Sequence, residues 1–343
     1  MKTYTLIASI CLALVTLTAC TVQPNHVFES QLEAHASPIN PAPSTEYEPN
    51  PESELKSEPK PEPKSEPTPL PQPDYLIAMN ASLDWIRTTN TNPQVGSVGG
   101  EWAVVALARA GVCDNAWFER YLTSLDTALA GQGGRVERMT DYARVILALT
   151  ALGLDASSHN GHDLTAALST FVPYEERPNH SRAINADIFA LLALDSRSYD
   201  GDREKYIEAI LAAQTENGGW GLGGGATPDI TAMAIQALAP YYGSNEDIRA
   251  AVNRALQLLG SRPMRDAEGN AQVIVALAAL GRDAEIYVQT LLTFHDPVSG
   301  AFFRGEEPNM MATEQAAYAL VAYYRFMTGQ NRLYDMSDAR GAS

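Results

Sequence analysis

Cysteine, histidine and basic residues are scarce in this chain of 343 residues, which holds 3 Cys, 6 His and 24 Lys or Arg against 41 Asp or Glu. Three cysteines are too few for a disulfide-stapled scaffold. The formal net charge of −17 argues against nucleic acid or an anionic membrane face as a partner, because both bind basic surfaces. The sequence also has no HExxH helix, no P-loop lysine and no nucleophile elbow, so none of these catalytic sites is indicated.

The N terminus, MKTYTLIASICLALVTLTAC, has the form of a secretory signal: one lysine and then an apolar run too short to span a bilayer. The segment LTAC at 17–20 resembles the lipobox of bacterial lipoproteins. That resemblance implies that residues 1–19 are a signal peptide and that Cys20 carries the lipid. An ordinary signal peptide cleaved before a cysteine is the alternative. We therefore expect an exported protein of the bacterial envelope or cell surface, held to the membrane by a lipid anchor.

Residues 20–74 form a segment rich in Pro, Glu, Lys and Ser and poor in large apolar side chains. Such a segment cannot bury enough surface to offset its chain entropy, so we predict an extended, solvated spacer. At ~3 Å per residue, roughly 50 residues could hold a domain up to ~150 Å from the membrane. The folded domain is predicted at 75–330, followed by a C-terminal tail at 331–343.

The dipeptide Ala-Leu recurs in six apolar segments, at intervals of 42, 45, 44, 39 and 43 residues. A more amphipathic stretch precedes each segment, which predicts outer helices packed around inner ones. Closing the ring would bury both apolar flanks of such an array. We predict an all-α fold, an (α/α)6 toroid of six inner and six outer helices; an open superhelix of the tetratricopeptide kind is the alternative. The predicted left-handed helix caps are Gly111, Gly153, Gly243 and Gly281.

The segment QTENGGW at 214–220 resembles the QW motif shared by squalene and hopene cyclases and by protein prenyltransferase β subunits. The segment PDITAMA at 228–234 is similar to a helix start in those families and in the cobalamin carriers transcobalamin and intrinsic factor. The resemblance covers residues 75–330 and is closest to bacterial exported repeat proteins; it implies the (α/α)6 fold. The QW residues themselves suit a tight turn between helices, so we assign a structural role to Gln214, Gly218, Gly219 and Trp220.

Two activities of these families require residues that this chain lacks. Hopene-type cyclases protonate their substrate with an Asp-x-Asp-Asp-Thr-Ala motif, whereas TPDITA at 227–232 keeps only Asp229. Prenyltransferases bind zinc through Asp-x-Cys and a histidine, and neither that cysteine nor an inner-helix histidine is present. We assign no catalytic residue and no metal, and we expect Asp229 to cap its helix and to contact ligand.

Acidic residues lie near the start of the inner segments, where a toroid would gather them at one mouth. Each could simply complement its own helix dipole. The alternative is a glycan- or lipid-modifying enzyme in which Asp229 pairs with Asp187 or Asp141, as paired carboxylates do in glycosidases. The acids are Glu101, Asp141, Asp187, Asp229, Glu268 and Glu314.

The leading functional hypothesis is a non-catalytic binding module with one pocket at this mouth, suited to a bulky amphipathic small molecule. The resemblance to cobalamin carriers implies a corrinoid, cobalamin, as ligand. Those carriers cover the corrin with a second domain that is missing here, so a protein partner would have to cover the pocket. An adhesion or scaffold role is the third hypothesis. The predicted ligand-binding residues are Trp102, Asp141, Tyr142, Asn185, Asp187, Asp229, Met233 and Gln315.

Overall fold

The computed structural model describes residues 72–170, 184–223, 225–261 and 264–339. The predicted signal peptide, the lipidation of Cys20 and nearly all of the spacer lie outside the described residues. No helix within the described ranges is long and apolar enough to cross a membrane.

The predicted all-α fold is confirmed, and its centre consists of helices in which nearly every residue is buried. Helix α10 shows why: its sequence AEGNAQVIVALAA offers small and branched apolar side chains on every face, as an enclosed helix requires. These inner helices are α2 (Glu101–Arg109), α4 (Met139–Ala151), α6 (Asn185–Ser196), α8 (Pro228–Leu238), α10 (Ala267–Ala279) and α12 (Met310–Met327).

The outer helices bury only one face each. On α9 the buried residues Ile248, Ala251, Val252, Ala255 and Leu259 recur every three or four positions, as expected for one apolar stripe. The outer helices are α1 (Asp74–Thr89), α3 (Asn115–Gly131), α5 (Ala166–Ser169), α7 (Glu204–Ala212), α9 (Glu246–Gly260) and α11 (Glu285–Leu292).

The third outer helix, α5, is a single turn. The segment before it is not helical, because Asn160 and Gly161 have positive φ angles and the chain reverses between His159 and His162. Asp163 then accepts the backbone N–H of Ala166 at 3.1 Å, which fixes the start of the turn.

The inner helices contact one another in the order α2, α4, α6, α8, α10, α12, and α12 contacts α2 again. Neighbouring inner helices run in the same direction, so their N-terminal halves lie side by side. For example, Arg144 in the first half of α4 lies 3.8 Å from Glu101 at the start of α2. At the opposite end, Arg325 near the end of α12 donates to the carbonyl of Arg109, which ends α2. The contacts thus form a cycle with an N-terminal end and a C-terminal end.

Helix ends follow the predicted glycines at three of four positions. Gly111, Gly153 and Gly281 have φ angles of 76°, 76° and 67°. The prediction for Gly243 is wrong, because α8 continues into a 3-10 turn, Ala239–Tyr241, that contains Pro240. The chain leaves this turn through bonds from the N–H groups of residues 244 and 245 to the Tyr241 carbonyl. A two-stranded antiparallel sheet, β1 (Phe303–Arg304) and β2 (Glu307–Pro308), precedes α12.

Candidate ligand-binding site

The QW residues join two outer helices, α7 and α9. The Gln214 amide nitrogen donates to the carbonyls of Gly218 and Ala251, both at 2.8 Å, and its oxygen accepts from Arg254 on α9. The indole of Trp220 is fully buried and donates to the Ile210 carbonyl at 2.6 Å. The motif therefore holds α7 to α9.

The same arrangement recurs before α12 with a phenylalanine in place of the tryptophan. The N–H of Trp220 donates to the Thr231 hydroxyl at 3.0 Å, and the N–H of Phe302 donates to the Thr313 hydroxyl at 2.9 Å. Both aromatic residues are fully buried. Thus each threonine ties the start of its inner helix to the preceding loop.

Two buried glutamates at the N-terminal end hold the loop that precedes α2. Glu101 accepts the N–H of Gly96 at 2.7 Å, and Glu314 accepts the N–H of Gly99 at 2.7 Å. Burial raises the pKa of the Glu101 carboxyl, and Arg144 opposes that shift. Burial raises the pKa of Glu314 to about 8, so this side chain keeps its proton at neutral pH.

Two further acids at this end form ion pairs. Asp141 on α4 contacts Arg138 at 3.0 Å and is also bonded to Arg144. Glu268 on α10 lies 2.9 Å from the Arg304 guanidinium. Their charges are therefore compensated locally.

Asp187 and Asp229, the remaining acids, differ in exposure. Asp187 on α6 is fully buried. Asp229 is partly exposed, and its carboxylate makes no hydrogen bond or ion pair within the described ranges. The prediction that Asp229 caps α8 is wrong: Pro228 takes the first helical position, so Thr227 stands at the cap and Asp229 lies inside the first turn.

Five other predicted site residues occupy the first two turns of inner helices at the N-terminal end, and each is partly exposed where its neighbours are buried. Trp102 packs against the rings of Phe189 and Tyr318, with centroids 5.5 and 5.9 Å away. These contacts join α2, α6 and α12 through their aromatic rings. We call the set of partly exposed site residues at this end the N-terminal cup; it consists of Trp102, Tyr142, Asn185, Asp229, Met233 and Gln315.

A chain of amides lies beneath the cup. Gln236 on α8 donates to the Gln272 side-chain oxygen at 2.9 Å, and Gln272 donates to the Gln315 oxygen at 2.9 Å. Gln272 also bonds the Tyr318 hydroxyl. The network links α8, α10 and α12 across the interior, so these buried amides have partners.

A cavity of about 470 Å³ lies at the opposite, C-terminal end of the ring. Residues 331–339 cover this end, with Leu333, Tyr334 and Met336 buried. The Arg109 side chain holds this segment through the Leu333 carbonyl at 3.0 Å and the Asp338 carboxylate at 2.6 Å. The sequence does not predict this cavity, because its wall comes from residues predicted to be a tail; the apolar Leu333, Tyr334 and Met336 are the signal that could have suggested it.

The side chain of His159 and the backbone of His162 are held within the loop before α5. The His159 ring nitrogen lies 2.9 Å from the Asp126 carboxylate, and the two histidines form an isolated antiparallel bridge. In the part of the chain that the structure describes, no group of three or more His, Cys, Asp or Glu side chains could hold a metal ion.

No family profile matches the chain, and no curated protein matches its sequence. Among solved structures 13 chains match. One is a variant of the type II terpene cyclase MstE from Scytonema, solved in complex with its substrate geranylgeranyl dihydroxybenzoate. It is 13% identical at a TM-score of 0.50, and the match covers 74% of this chain and 97% of the cyclase chain. At this identity the similarity concerns the fold alone: the chain has a terpenoid cyclase-like fold.

Proposed function

We propose that this protein is a non-catalytic binding module that takes a bulky, largely apolar small molecule into the N-terminal cup. One observation carries the proposal: two acceptors without partners lie at the starts of the adjacent inner helices α6 and α8. The side-chain oxygen of Asn185 is buried and has no hydrogen-bond partner among the described residues. Leaving such an atom unpaired costs ~1–3 kcal/mol, which a donor on a ligand would recover. The partly exposed Asp229 carboxylate offers a second acceptor.

A corrinoid is the ligand we propose to test first. Its apolar macrocycle carries amide side chains, which would donate hydrogen bonds to Asn185 and Asp229. The helix start at 228–234 resembles that of the cobalamin carriers, which supports the same choice. Those carriers cover the corrin with a second domain, so a second protein covering the ligand is part of this proposal.

An enzyme acting on an isoprenoid is the second candidate. The terpenoid cyclase-like fold favours it, since the matched cyclase holds a geranylgeranyl substrate. Glu314, with its pKa of about 8, is the side chain that could donate a proton at neutral pH. Against this role, Glu314 is only 2% exposed and accepts the Gly99 N–H. Asp141 is a poor partner for Asp229 in a glycosidase-like pair of carboxylates, because it already forms ion pairs with two arginines.

Export and lipid anchoring at Cys20 belong to the binding proposal. The spacer at 20–74 would hold the cup away from the membrane, where an extracellular ligand can reach it. An adhesion or scaffold role on the outer surface is the remaining alternative, and it predicts that small molecules leave the protein unchanged.

The test is a calorimetric titration of the full chain with dicyanocobalamin. We expect saturable binding that weakens about tenfold in Asp229→Asn, because a charge-assisted hydrogen bond contributes roughly 1.5–3 kcal/mol. The matched control is Asp247→Asn, since Asp247 is also the second residue of its helix but lies exposed on α9. An equal loss in both variants, or no binding by the unaltered chain, would contradict the proposal.

Incubation with geranylgeranyl dihydroxybenzoate distinguishes the enzyme. A cyclised product detected by mass spectrometry, and lost in Glu314→Gln, would replace the binding proposal by catalysis. Unchanged substrate is the result we expect.

A further inference from the structure

We infer that the cavity at the C-terminal end of the ring is a second binding site, and that it takes an uncharged, largely apolar molecule carrying a hydroxyl group. It lies at the end opposite the N-terminal cup, so it is independent of the function proposed above. We call it the C-terminal cavity. Its lining includes Leu192, Asp195, Gln236, Val275, Arg332 and Tyr334.

The size and walls of the C-terminal cavity suit a small organic molecule. Its volume of about 470 Å³ falls within the range of pockets that enclose such ligands, roughly 300–1,000 Å³. Leu192 comes from α6, Val275 and Ala279 from α10, and Leu333 from the C-terminal segment. The apolar part of a ligand would therefore meet aliphatic side chains on several sides.

Tyr334, a lining residue, carries a hydroxyl group that makes no hydrogen bond in the described structure. Tyr334 lines the C-terminal cavity, and only 9% of its surface is exposed. Burial raises the pKa of its hydroxyl, which therefore stays protonated at neutral pH. This hydroxyl makes no hydrogen bond with any residue that the structure describes, although buried tyrosine hydroxyls usually find a partner. A hydroxyl on the ligand would supply it.

The charges around the C-terminal cavity favour a neutral ligand. Arg203 already pairs with Asp195 at 2.6 Å, and Tyr241 donates to the same carboxylate at 2.8 Å. The other two charged lining residues, Arg332 and Asp335, have opposite signs. The C-terminal ends of inner helices point to this side, and their carbonyl groups disfavour anions. Neither a carboxylate nor a phosphate head group is therefore favoured.

The wall formed by the C-terminal segment is fixed on both sides. The N–H of Met336 donates to the Ser196 carbonyl at the end of α6 at 2.8 Å. On the other side, Asp338 bonds both Arg109 and Arg325. These bonds hold the cavity in a defined shape before any ligand enters, which limits the entropy lost on binding.

The test uses the full chain and farnesol as the probe, with affinity measured by calorimetry. We expect saturable binding, at least tenfold weaker binding of farnesoic acid, and about a fivefold loss of farnesol affinity in Tyr334→Phe, which removes one hydrogen bond.

A pair of substitutions at Ala279 tests the location. Ala279 is partly exposed and lines the C-terminal cavity, so Ala279→Trp should fill the space and abolish binding, whereas Ala279→Ser should bind farnesol like the unaltered chain. Met233→Trp, which fills the N-terminal cup, should leave farnesol binding unchanged. Circular dichroism confirms folding of each variant. Farnesol binding by Ala279→Trp at full affinity, its loss in Met233→Trp alone, or no saturable binding at all would overturn the inference.

Discussion

The ring of Tyr334 packs against the indole of Trp102, with centroids 6.4 Å apart and planes inclined by 65°. Trp102 comes from the first turn of α2, whereas Tyr334 comes from the segment that covers the opposite end of the ring. Trp102 also packs against Phe189 and Tyr318, so the four rings form one aromatic cluster. This cluster joins the C-terminal segment to α2, α6 and α12.

The attachment of the C-terminal segment to the ring should depend on the carboxylate of Asp338. Asp338→Asn leaves Arg109 and Arg325 without their counter-ion, although their side chains are only 4% and 6% exposed. Because Asp338 itself is 36% exposed, we discount the full cost of breaking a buried pair and expect a loss of roughly 1–3 kcal/mol in the free energy of unfolding. Urea denaturation measures it.

Asp335→Asn is the matched control for this loss, since the Asp335 carboxylate accepts hydrogen bonds only from Asn331 and Ser337 and is not ion-paired in the described structure. Its expected effect is below ~1 kcal/mol. Hydrogen exchange of the Met336 amide should also accelerate in Asp338→Asn and not in the control. Equal stabilities of the two variants would contradict the proposed role of Asp338 in holding the C-terminal segment.

The buried Glu314 should make stability fall as pH rises. Its pKa is about 8 in the folded chain against an ordinary value of 4.5, so its contribution is complete below pH 4.5 and is lost progressively up to pH 8. The slope is up to ~1.4 kcal/mol per pH unit. Glu314→Gln carries no titrating group and should remove this part of the decline; denaturation at several pH values measures it.

Glu119→Gln controls for the change of charge, because Glu119 is exposed on α3. Its pH profile should follow that of the unaltered chain. A Glu314→Gln profile as steep as the others would show that Glu314 is ionised at neutral pH, which would also remove the proton donor that the enzyme hypothesis needs.

The stability of the connection that the QW residues make between α7 and α9 should depend on Gln214. Gln214→Leu removes the bonds to Gly218, Ala251 and Arg254 and leaves two carbonyls with one donor fewer. At about 1 kcal/mol for each bond, we expect the midpoint of chemical denaturation to fall by an amount equivalent to ~2–3 kcal/mol. Gln257→Leu on the exposed face of α9 should change it by less than ~0.5 kcal/mol. A loss of stability no larger than in this control would mean that packing alone holds α7 to α9.

The repeat of apolar helices could be predicted from the sequence because its signal is local. Every Ala-Leu segment became a buried helix, and the glycines at 111, 153 and 281 end three of them as predicted. The cup residues could be proposed for the same reason, since Trp102, Tyr142 and Met233 all lie in the first two turns of inner helices.

The features that the sequence did not predict depend on distant contacts or on a shift of two residues in a helix start. Residues 331–339 pack against the ring because Arg109, more than 220 positions earlier, meets Asp338. Asp229 fails to cap α8 because the helix begins two residues sooner than a cap at Asp229 requires, at Pro228. Neither the long separation nor the exact helix start is recorded in a local pattern.

The most direct test of ligand binding in the N-terminal cup is a calorimetric titration of Met233→Trp and Met233→Leu with dicyanocobalamin. Met233 is partly exposed on α8, one turn after Asp229, so an indole should occupy the cup whereas leucine keeps its volume and apolar character. We predict no binding by Met233→Trp and unchanged affinity for Met233→Leu. Equal affinities in both variants would place the ligand elsewhere and contradict the proposed function.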